Sequence, residues 1–196
     1  MIIKAPPLVT AEELLEMPNS IDYELFDGIL VERQMGAESN AIAVELAFFI
    51  RDYFKKFGRT GHIFMGEAGF RIFPDRPNLI RKPDLAFVKF GRLPDDPQRP
   101  KGHVSLVPDL AMESISPGDL ASEVNEKIDE YVEARIPLIW FFDPDSKTVQ
   151  VFRKDGSTQR LTEADEISGE DILPNFRCRV ADIFAPPEPS GPSTVE

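Results

Sequence analysis

The chain has 196 residues, of which 34 are acidic and 22 are basic, so its formal net charge is -12. This balance argues against a broad nucleic-acid-binding surface, because such surfaces are basic. It leaves room for a nuclease with a local basic groove or a bound metal. The length fits one domain, which we place at residues 1–184, and the 42% of hydrophobic residues is enough for a substantial core.

Cysteine usage and hydropathy indicate the compartment. Cys178 is the single cysteine, so the chain cannot form an intrachain disulfide, and this usage is typical of a reducing compartment. The first residues lack the apolar region of a signal peptide, and no run approaches the ~18 apolar residues of a membrane span. We therefore predict a soluble, cytoplasmic protein. Residues 185–196 are rich in Pro and Ser and are predicted to be a disordered tail.

The N-terminal third predicts a helix, a hairpin and a long helix. Thr10 and Glu13 form a capping box that begins a short helix over 11–17. Residues 23–32 read as two strands joined by an Asp-Gly turn. Apolar residues recur at helical spacing over 39–57, which indicates a helix packed on the core.

The rest of the chain alternates strands with one further helix. The predicted strands are 62–65, 69–73, 84–88, 108–115, 138–142 and 148–152. Residues 91–107 are predicted to form a surface loop, and 120–134 a helix. Residues 172–176 and 180–184 are expected to pack on the core as a short C-terminal element.

Two of these strands carry an acid where a buried strand should carry none. Asp84 opens the strand at 84–88, and Glu113 lies inside the apolar run of the strand at 108–115. An ionised carboxylate is costly to bury unless it is paired or binds a cation. Two such acids on neighbouring strands would form a hard-oxygen metal site. Strand alternation places Glu113 and Ile115 on one face, so the Ile115 carbonyl is a further candidate ligand.

Lys127 is the candidate cation of this site. On a helical wheel of residues 120–134 it falls on the apolar side, whereas the acids Glu123, Glu126, Asp129, Glu130 and Glu133 share the opposite side. The alternative is that Lys127 runs its stem along the core and reaches water. An Asp, a Glu and a Lys around a divalent ion can hydrolyse a phosphodiester.

Other polar residues have simpler interpretations or compete for the same role. Asp84 could merely cap or turn the chain after Pro83. Asp109 also follows a proline and precedes an apolar run, so it is a rival to Asp84. His62 and His103 have no partner at metal-ligand spacing, and we assign no zinc site to them.

At this point the residues resemble a known family. The ordered segments 23–28, 81–84, 108–117, 127–131 and 140–144 resemble the Uma-two family of restriction-endonuclease-like proteins, in the PD-(D/E)XK superfamily, over residues 8–184. The resemblance implies an α/β fold, with a mixed central sheet flanked by helices and added antiparallel hairpins. It also implies a magnesium- or manganese-dependent nuclease site. In this reading Asp84 and Glu113 are the motif acids, and Glu24 is an additional acidic residue of the site, a second-tier ligand or a base.

The sequence departs from the superfamily motif at one position. Ile115 stands two residues after Glu113, where the motif has lysine, and Lys127 resembles a replacement that reaches the same space from the next helix. We therefore predict a metal-dependent endonuclease acting on DNA. The alternatives are a nuclease-fold binding or regulatory module without turnover, and an enzyme acting on another phosphate ester.

A homodimer is predicted, because the runs 138–142 and 39–57 supply abundant apolar surface and closed two-fold dimers are common.

Overall fold

The structure is a computed structural model that describes residues 8–34, 36–94 and 101–185. Its helices are α1 (Ala11–Glu16), α2 (Ala37–Phe57), α3 (Ala121–Glu133) and α4 (Val180–Phe184). Its strands are β1 (Tyr23–Phe26), β2 (Ile29–Glu32), β3 (Gly61–Met65), β4 (Leu85–Lys89), β5 (Leu110–Ser114), β6 (Leu138–Asp143), β7 (Thr148–Arg153), β8 (Thr158–Leu161), β9 (Glu166–Ser168) and β10 (Arg177–Arg179).

Six strands form a mixed central sheet in the order β3-β4-β5-β6-β7-β8. All neighbouring pairs are antiparallel except β5 and β6, which are parallel and are joined by α3. A parallel pair requires such a crossover, whereas antiparallel strands can be joined by short turns. The predicted α/β class with a mixed sheet and added hairpins is confirmed.

The sheet buries both of its faces, because successive side chains on a strand point in opposite directions. Leu110 and Met112 of β5 join the cluster that packs under α2, whereas Ala111 joins the cluster that contains Tyr131 of α3. Trp140 of β6 is fully buried in the first cluster. Since β6 lies inside the sheet, the apolar run 138–142 is a central strand, as its composition predicted.

The N-terminal segment adds a hairpin over the second face of the sheet, which is the face that carries the cluster with Tyr131. β1 and β2 pair antiparallel around Asp27 and Gly28, both of which have positive φ, as a two-residue turn of this kind requires. Ile80 forms an antiparallel β-bridge with Leu25, which links the hairpin to the segment that leads into β4. The predicted capping box of α1 is present, with Thr10 and Glu13 bonded to each other's backbone N–H groups.

Two predicted elements differ from the structure. The strand predicted at 69–73 is absent from the described residues. Phe70 instead makes isolated β-bridges to Arg81 and Val104. The apolar residues that suggested a strand here are explained by their burial in the second cluster. The segment 91–107 is not simply a surface loop, because Leu93 and Val104 are buried in the second cluster. Its residues 95–100 lie outside the described residues.

The C-terminal part packs on the first cluster, as expected. Val180 and Ile183 of α4 are buried there, together with Phe176. The small antiparallel pair β9 and β10 precedes α4 and was not predicted. The predicted tail lies outside the described residues from 186 onward. Across the described parts of the chain, none of the helices is long and apolar enough to cross a membrane.

Candidate active site

The two predicted acids lie side by side at one end of the sheet. Asp84 directly precedes β4 and Glu113 lies in β5, and the antiparallel register pairs Leu85 with Met112. This register places Asp84 opposite Glu113. Both line one cavity of about 290 Å³ with Glu24 and Lys127. The four predicted side chains are therefore brought together by the sheet, the β1–β2 hairpin and α3.

Asp84 is held on both of its carboxylate oxygens. Oδ2 accepts a hydrogen bond from the backbone N–H of Ser114 at 2.9 Å, and Oδ1 accepts one from Nη2 of Arg33 at 3.2 Å. Burial raises the pKa of Asp84, although the Ser114 N–H and the charges of Lys127 and Arg33 oppose that shift. Asp84 therefore faces the cavity as a fixed acid, and the capping interpretation of this residue is not supported.

Glu113 is more deeply buried than Asp84, with only 6% of its surface exposed to solvent. Its Oε1 accepts a hydrogen bond from the Tyr131 hydroxyl at 2.5 Å and lies 3.2 Å from Nζ of Lys127. Burial raises the pKa of Glu113 to about 7, against the attraction of Lys127, and the neighbouring charge of Asp84 raises it further. Near neutral pH this carboxyl is poised between its protonated and ionised forms.

Lys127 bridges two acids. Its Nζ lies 3.2 Å from Glu113 Oε1 and 3.4 Å from Glu24 Oε2, and its side chain is 22% exposed. Burial would lower the pKa of Lys127, but the charges of Glu113 and Glu24 outweigh burial and raise it, so the ammonium stays charged. The ammonium therefore points into the site, and the alternative in which it reaches into water is wrong.

Glu24 is tied to cations and to an amide. Its Oε2 lies 3.0 Å from Nη1 of Arg81, and its Oε1 accepts the backbone N–H of Lys82 at 2.6 Å. Although burial raises its pKa, the charges of Lys127 and Arg81 lower the pKa of Glu24 to about 2. A carboxylate so fully engaged is suited to holding Lys127 in place, and less to accepting a proton.

Arg81 and Glu130 belong to the same network and were not predicted. Arg81 Nε donates to Glu130 Oε2 at 2.6 Å, and both side chains are 7% exposed. The helical wheel groups Glu130 with the acids opposite the apolar side, yet in the structure Glu130 is buried. The Arg81 guanidinium, buried among carboxylates, draws Glu130 inward, because a buried cation needs partners.

Arg33 and Tyr131 are two further contacts that the sequence reasoning missed. Arg33 follows β2 directly and lines the cavity through its place at the end of the hairpin. Tyr131 lies one helical turn after Lys127, so their shared face of α3 was a usable signal. The sequence alone could not tell the Tyr131 hydroxyl from an ordinary core aromatic, because the hydrogen bond to Glu113 depends on tertiary packing.

Of the other candidates from the sequence, Ile115 lines the cavity, whereas Asp109 and His103 lie elsewhere. Ile115 lines the cavity directly after β5, and its carbonyl accepts a 3.3 Å hydrogen bond from Ser39 Oγ, which leaves a second lone pair. Asp109 lies outside the cavity, where it accepts the backbone N–H of Lys89 and pairs with Arg92. His103 bonds to the Ala11 carbonyl oxygen, away from the acids.

The model of the Uma2 (Uma-two) family, described as "Putative restriction endonuclease", matches residues 11–181. The chain belongs to the Uma2 family. No curated protein matches this sequence.

A solved structure shares the fold of this Uma2-family chain. It is described as "a putative nuclease belonging to DUF820" from Anabaena variabilis. The superposition has a TM-score of 0.71 at 20% identity and covers 90% of this chain and 97% of that one. At this identity the likeness concerns the fold, and it agrees with the restriction-endonuclease-like architecture predicted for this Uma2-family chain.

The donor set of this Uma2-family site fits a hard divalent ion in part. In residues 8–34, 36–94 and 101–185, no three Asp, Glu, His or Cys side chains are arranged as a ready metal site. Asp84 and Glu113 nevertheless supply two carboxylates to one cavity, and magnesium commonly takes one or two carboxylates and keeps several waters. The protein's own cations already pair with both acids, Arg33 with Asp84 and Lys127 with Glu113.

The raised pKa of Glu113 predicts how stability depends on pH in the metal-free protein. The folded state holds this proton up to about pH 7, whereas the unfolded chain loses it near the ordinary glutamate value. Between those values the folded state binds more protons, so ionisation of Glu113 reduces the free energy of unfolding as the pH rises. We expect Glu113→Gln to unfold at a higher denaturant midpoint than the wild type at about pH 8, and to differ little at about pH 5.

Chemical denaturation at the two pH values, with a chelator present, measures this difference. Asp109→Asn is the matched control, because Asp109 also follows a proline but lies outside the cavity. A Glu113→Gln protein that is less stable than the wild type at the higher pH would contradict the prediction. It would show that ionised Glu113 acts as a structural partner of Lys127.

Proposed function

We propose that this protein is a metal-dependent endonuclease that hydrolyses DNA phosphodiester bonds. One observation carries the proposal: Asp84, Glu113 and Lys127 converge in a single cavity of a chain that belongs to the Uma2 family. Two carboxylates that can hold a divalent ion and one fixed ammonium are the groups that this hydrolysis needs. The family assignment favours a nuclease over enzymes of other phosphate esters.

Each residue has a distinct proposed role. Asp84 and Glu113 would hold magnesium or manganese, with the Ile115 carbonyl as a further ligand. When bound, the ion would polarise the scissile phosphate and lower the pKa of an attacking water. Lys127 would stabilise the negative charge that develops on the phosphate or orient the water.

Glu24 supports this arrangement by holding Lys127. Its carboxylate lies 3.4 Å from the lysine ammonium and stays ionised because Lys127 and Arg81 lower its pKa. Lysine carries its ammonium on a flexible four-carbon stem, so a carboxylate partner helps to keep that ammonium in one position. We propose that Glu24 is a positioning residue here, in preference to a metal ligand or a base.

A second candidate function is a nuclease-fold module that binds a partner without turnover. It is favoured by the acids Glu32, Asp119, Glu123 and Glu126, which line the cavity outside the central network. These acids repel a polyanion unless bound cations or a partner protein offset them. Lys127 is also already paired with two carboxylates, so its charge is shared between them before any phosphate arrives.

A nicking assay on plasmid and single-stranded DNA separates the two candidates. We expect magnesium- or manganese-dependent cleavage that a chelator abolishes. Asp84→Asn, Glu113→Gln and Lys127→Met should each reduce the rate about a hundredfold or more, because each removes a charge that acts on the transition state. Asp109→Asn should cleave like the wild type. DNA that is bound but left uncut by the wild type under all these conditions would support the binding module.

We also propose that the protein assembles as a homodimer, on one of the two grounds that the sequence suggested. The run 138–142 is buried within the sheet and leaves no spare surface. On α2, however, Val44 and Phe48 are 38% and 59% exposed and lie one helical turn apart. An exposed apolar strip on a long helix is suited to pack against its own copy around a two-fold axis.

Light scattering at micromolar concentration tests the dimer. The wild type should have about twice the chain mass of 22.1 kDa, and Phe48→Glu should return it to a single chain mass. Lys55→Glu is a control on the same helix, since Lys55 is exposed and pairs only with Asp52 among the described residues. A wild-type mass near one chain would contradict the proposal.

A further inference from the structure

Arg33 is the cation that contacts Asp84, and its position is unusually well fixed for a side chain at the end of a hairpin. Nη1 donates to the Gly66 carbonyl oxygen at 2.8 Å. Nη2 donates to the Lys82 carbonyl oxygen at 3.1 Å and to Asp84 Oδ1 at 3.2 Å. The Arg33 side chain is only 10% exposed. Three acceptors from two other segments therefore hold one guanidinium against the acid.

Gly66 makes room for this guanidinium. A Cβ atom at Gly66 would lie 3.1 Å from Nη2 and 3.5 Å from Nη1 of Arg33, and the φ angle of Gly66 is one that other residues adopt readily. A methyl group there would leave the backbone in place and move the guanidinium by a few tenths of an ångström. The lack of a side chain at Gly66 therefore permits the Arg33–Asp84 contact.

The two oxygens of Asp84 differ in how easily they can change partner. Oδ2 is held by the backbone N–H of Ser114, at the end of a strand inside the sheet. Oδ1 is held by a side chain that keeps two backbone acceptors, Gly66 and Lys82, after it releases the acid. A divalent ion approaching Asp84 would therefore meet Arg33 at Oδ1.

We infer that Arg33 is the resident counter-ion of Asp84 and that a divalent ion must displace it from Oδ1 in order to bind. This inference rests on the proposed metal site. In the metal-free protein Arg33 pairs the half-buried carboxylate of Asp84 at Oδ1. The same guanidinium opposes an incoming divalent ion, both by its charge and by occupying the ligand atom Oδ1.

Calorimetric titration with manganese chloride tests the inference without any measurement of cleavage. Arg33→Gln should bind manganese about tenfold more tightly than the wild type, because one charge-assisted hydrogen bond no longer competes. Its metal-free melting temperature should be lower, since Asp84 loses its partner. Saturating manganese should then raise the melting temperature more than in the wild type, because tighter binding stabilises the folded state further.

Gly66→Ala separates the contact from the charge. It keeps the arginine but crowds its guanidinium, so manganese should bind more tightly than in the wild type and less tightly than in Arg33→Gln. Arg71→Gln is the matched control: Arg71 also binds a backbone carbonyl oxygen and one carboxylate, but it pairs with Glu12 outside the cavity. It should leave the manganese affinity unchanged.

The outcomes distinguish this inference from the proposed function. Equal manganese affinity in the wild type and Arg33→Gln would overturn the inference and leave the metal site intact. If Arg33→Gln binds manganese more tightly while Gly66→Ala binds it like the wild type, competition through the Arg33–Asp84 contact is rejected. Only the effect of the positive charge of Arg33 would then remain. Binding by Arg33→Gln but not by the wild type would support the inference and count against a metal-dependent wild type. Binding by neither would contradict both.

Discussion

The site depends on three buried carboxylates, those of Glu24, Glu113 and Glu130, and on the half-buried carboxylate of Asp84, at one end of the sheet. Moving an ion from water into a protein costs several kcal/mol even after relaxation, and this cost is met only by close, well-directed partners. Three cations supply them. They are Arg33, Arg81 and Lys127.

The network also joins parts of the chain that the sheet alone would leave separate. Arg81, just before β4, links Glu24 on the hairpin to Glu130 on α3. Lys127 links the same hairpin to β5 through Glu113. The hairpin and the helix are thereby held over the second face of the sheet. Removing one partner of the buried Arg81–Glu24 and Arg81–Glu130 pairs costs about 3–5 kcal/mol, so the geometry of the site and the stability of the fold are linked.

One acid is left short of cations. Among the described residues, four carboxylates face three basic groups, and Glu113 is the one whose pKa rises to about 7. Arg81 is engaged by Glu24 and Glu130, and Lys127 is shared. A divalent ion would supply the missing positive charge at Asp84 and Glu113. This deficit of positive charge supports the proposed metal centre, as the resemblance to nucleases does.

The sequence predicted the parts of the site that interrupt a local pattern. Glu113 was visible because an acid inside an apolar strand needs a reason, and Lys127 because it breaks the apolar face of its helix. Glu24 came only from the resemblance to the family. Arg33, Arg81 and Glu130 could not be predicted, because their pairings join segments about fifty residues apart that meet only after folding. The short strands β8, β9 and β10 were missed for a related reason: three or four residues are too few to show an alternation.

The most direct test of the central claim is a crystal structure of the protein grown with manganese, with anomalous differences measured at the manganese edge. The account predicts one strong peak between Asp84 and Glu113, within coordination distance of both carboxylates, and a guanidinium of Arg33 withdrawn from Asp84 Oδ1. The peak should disappear in Glu113→Gln crystals grown in the same way. A peak at another site, or no peak beside an unchanged Arg33–Asp84 pair at saturating manganese, would contradict the account.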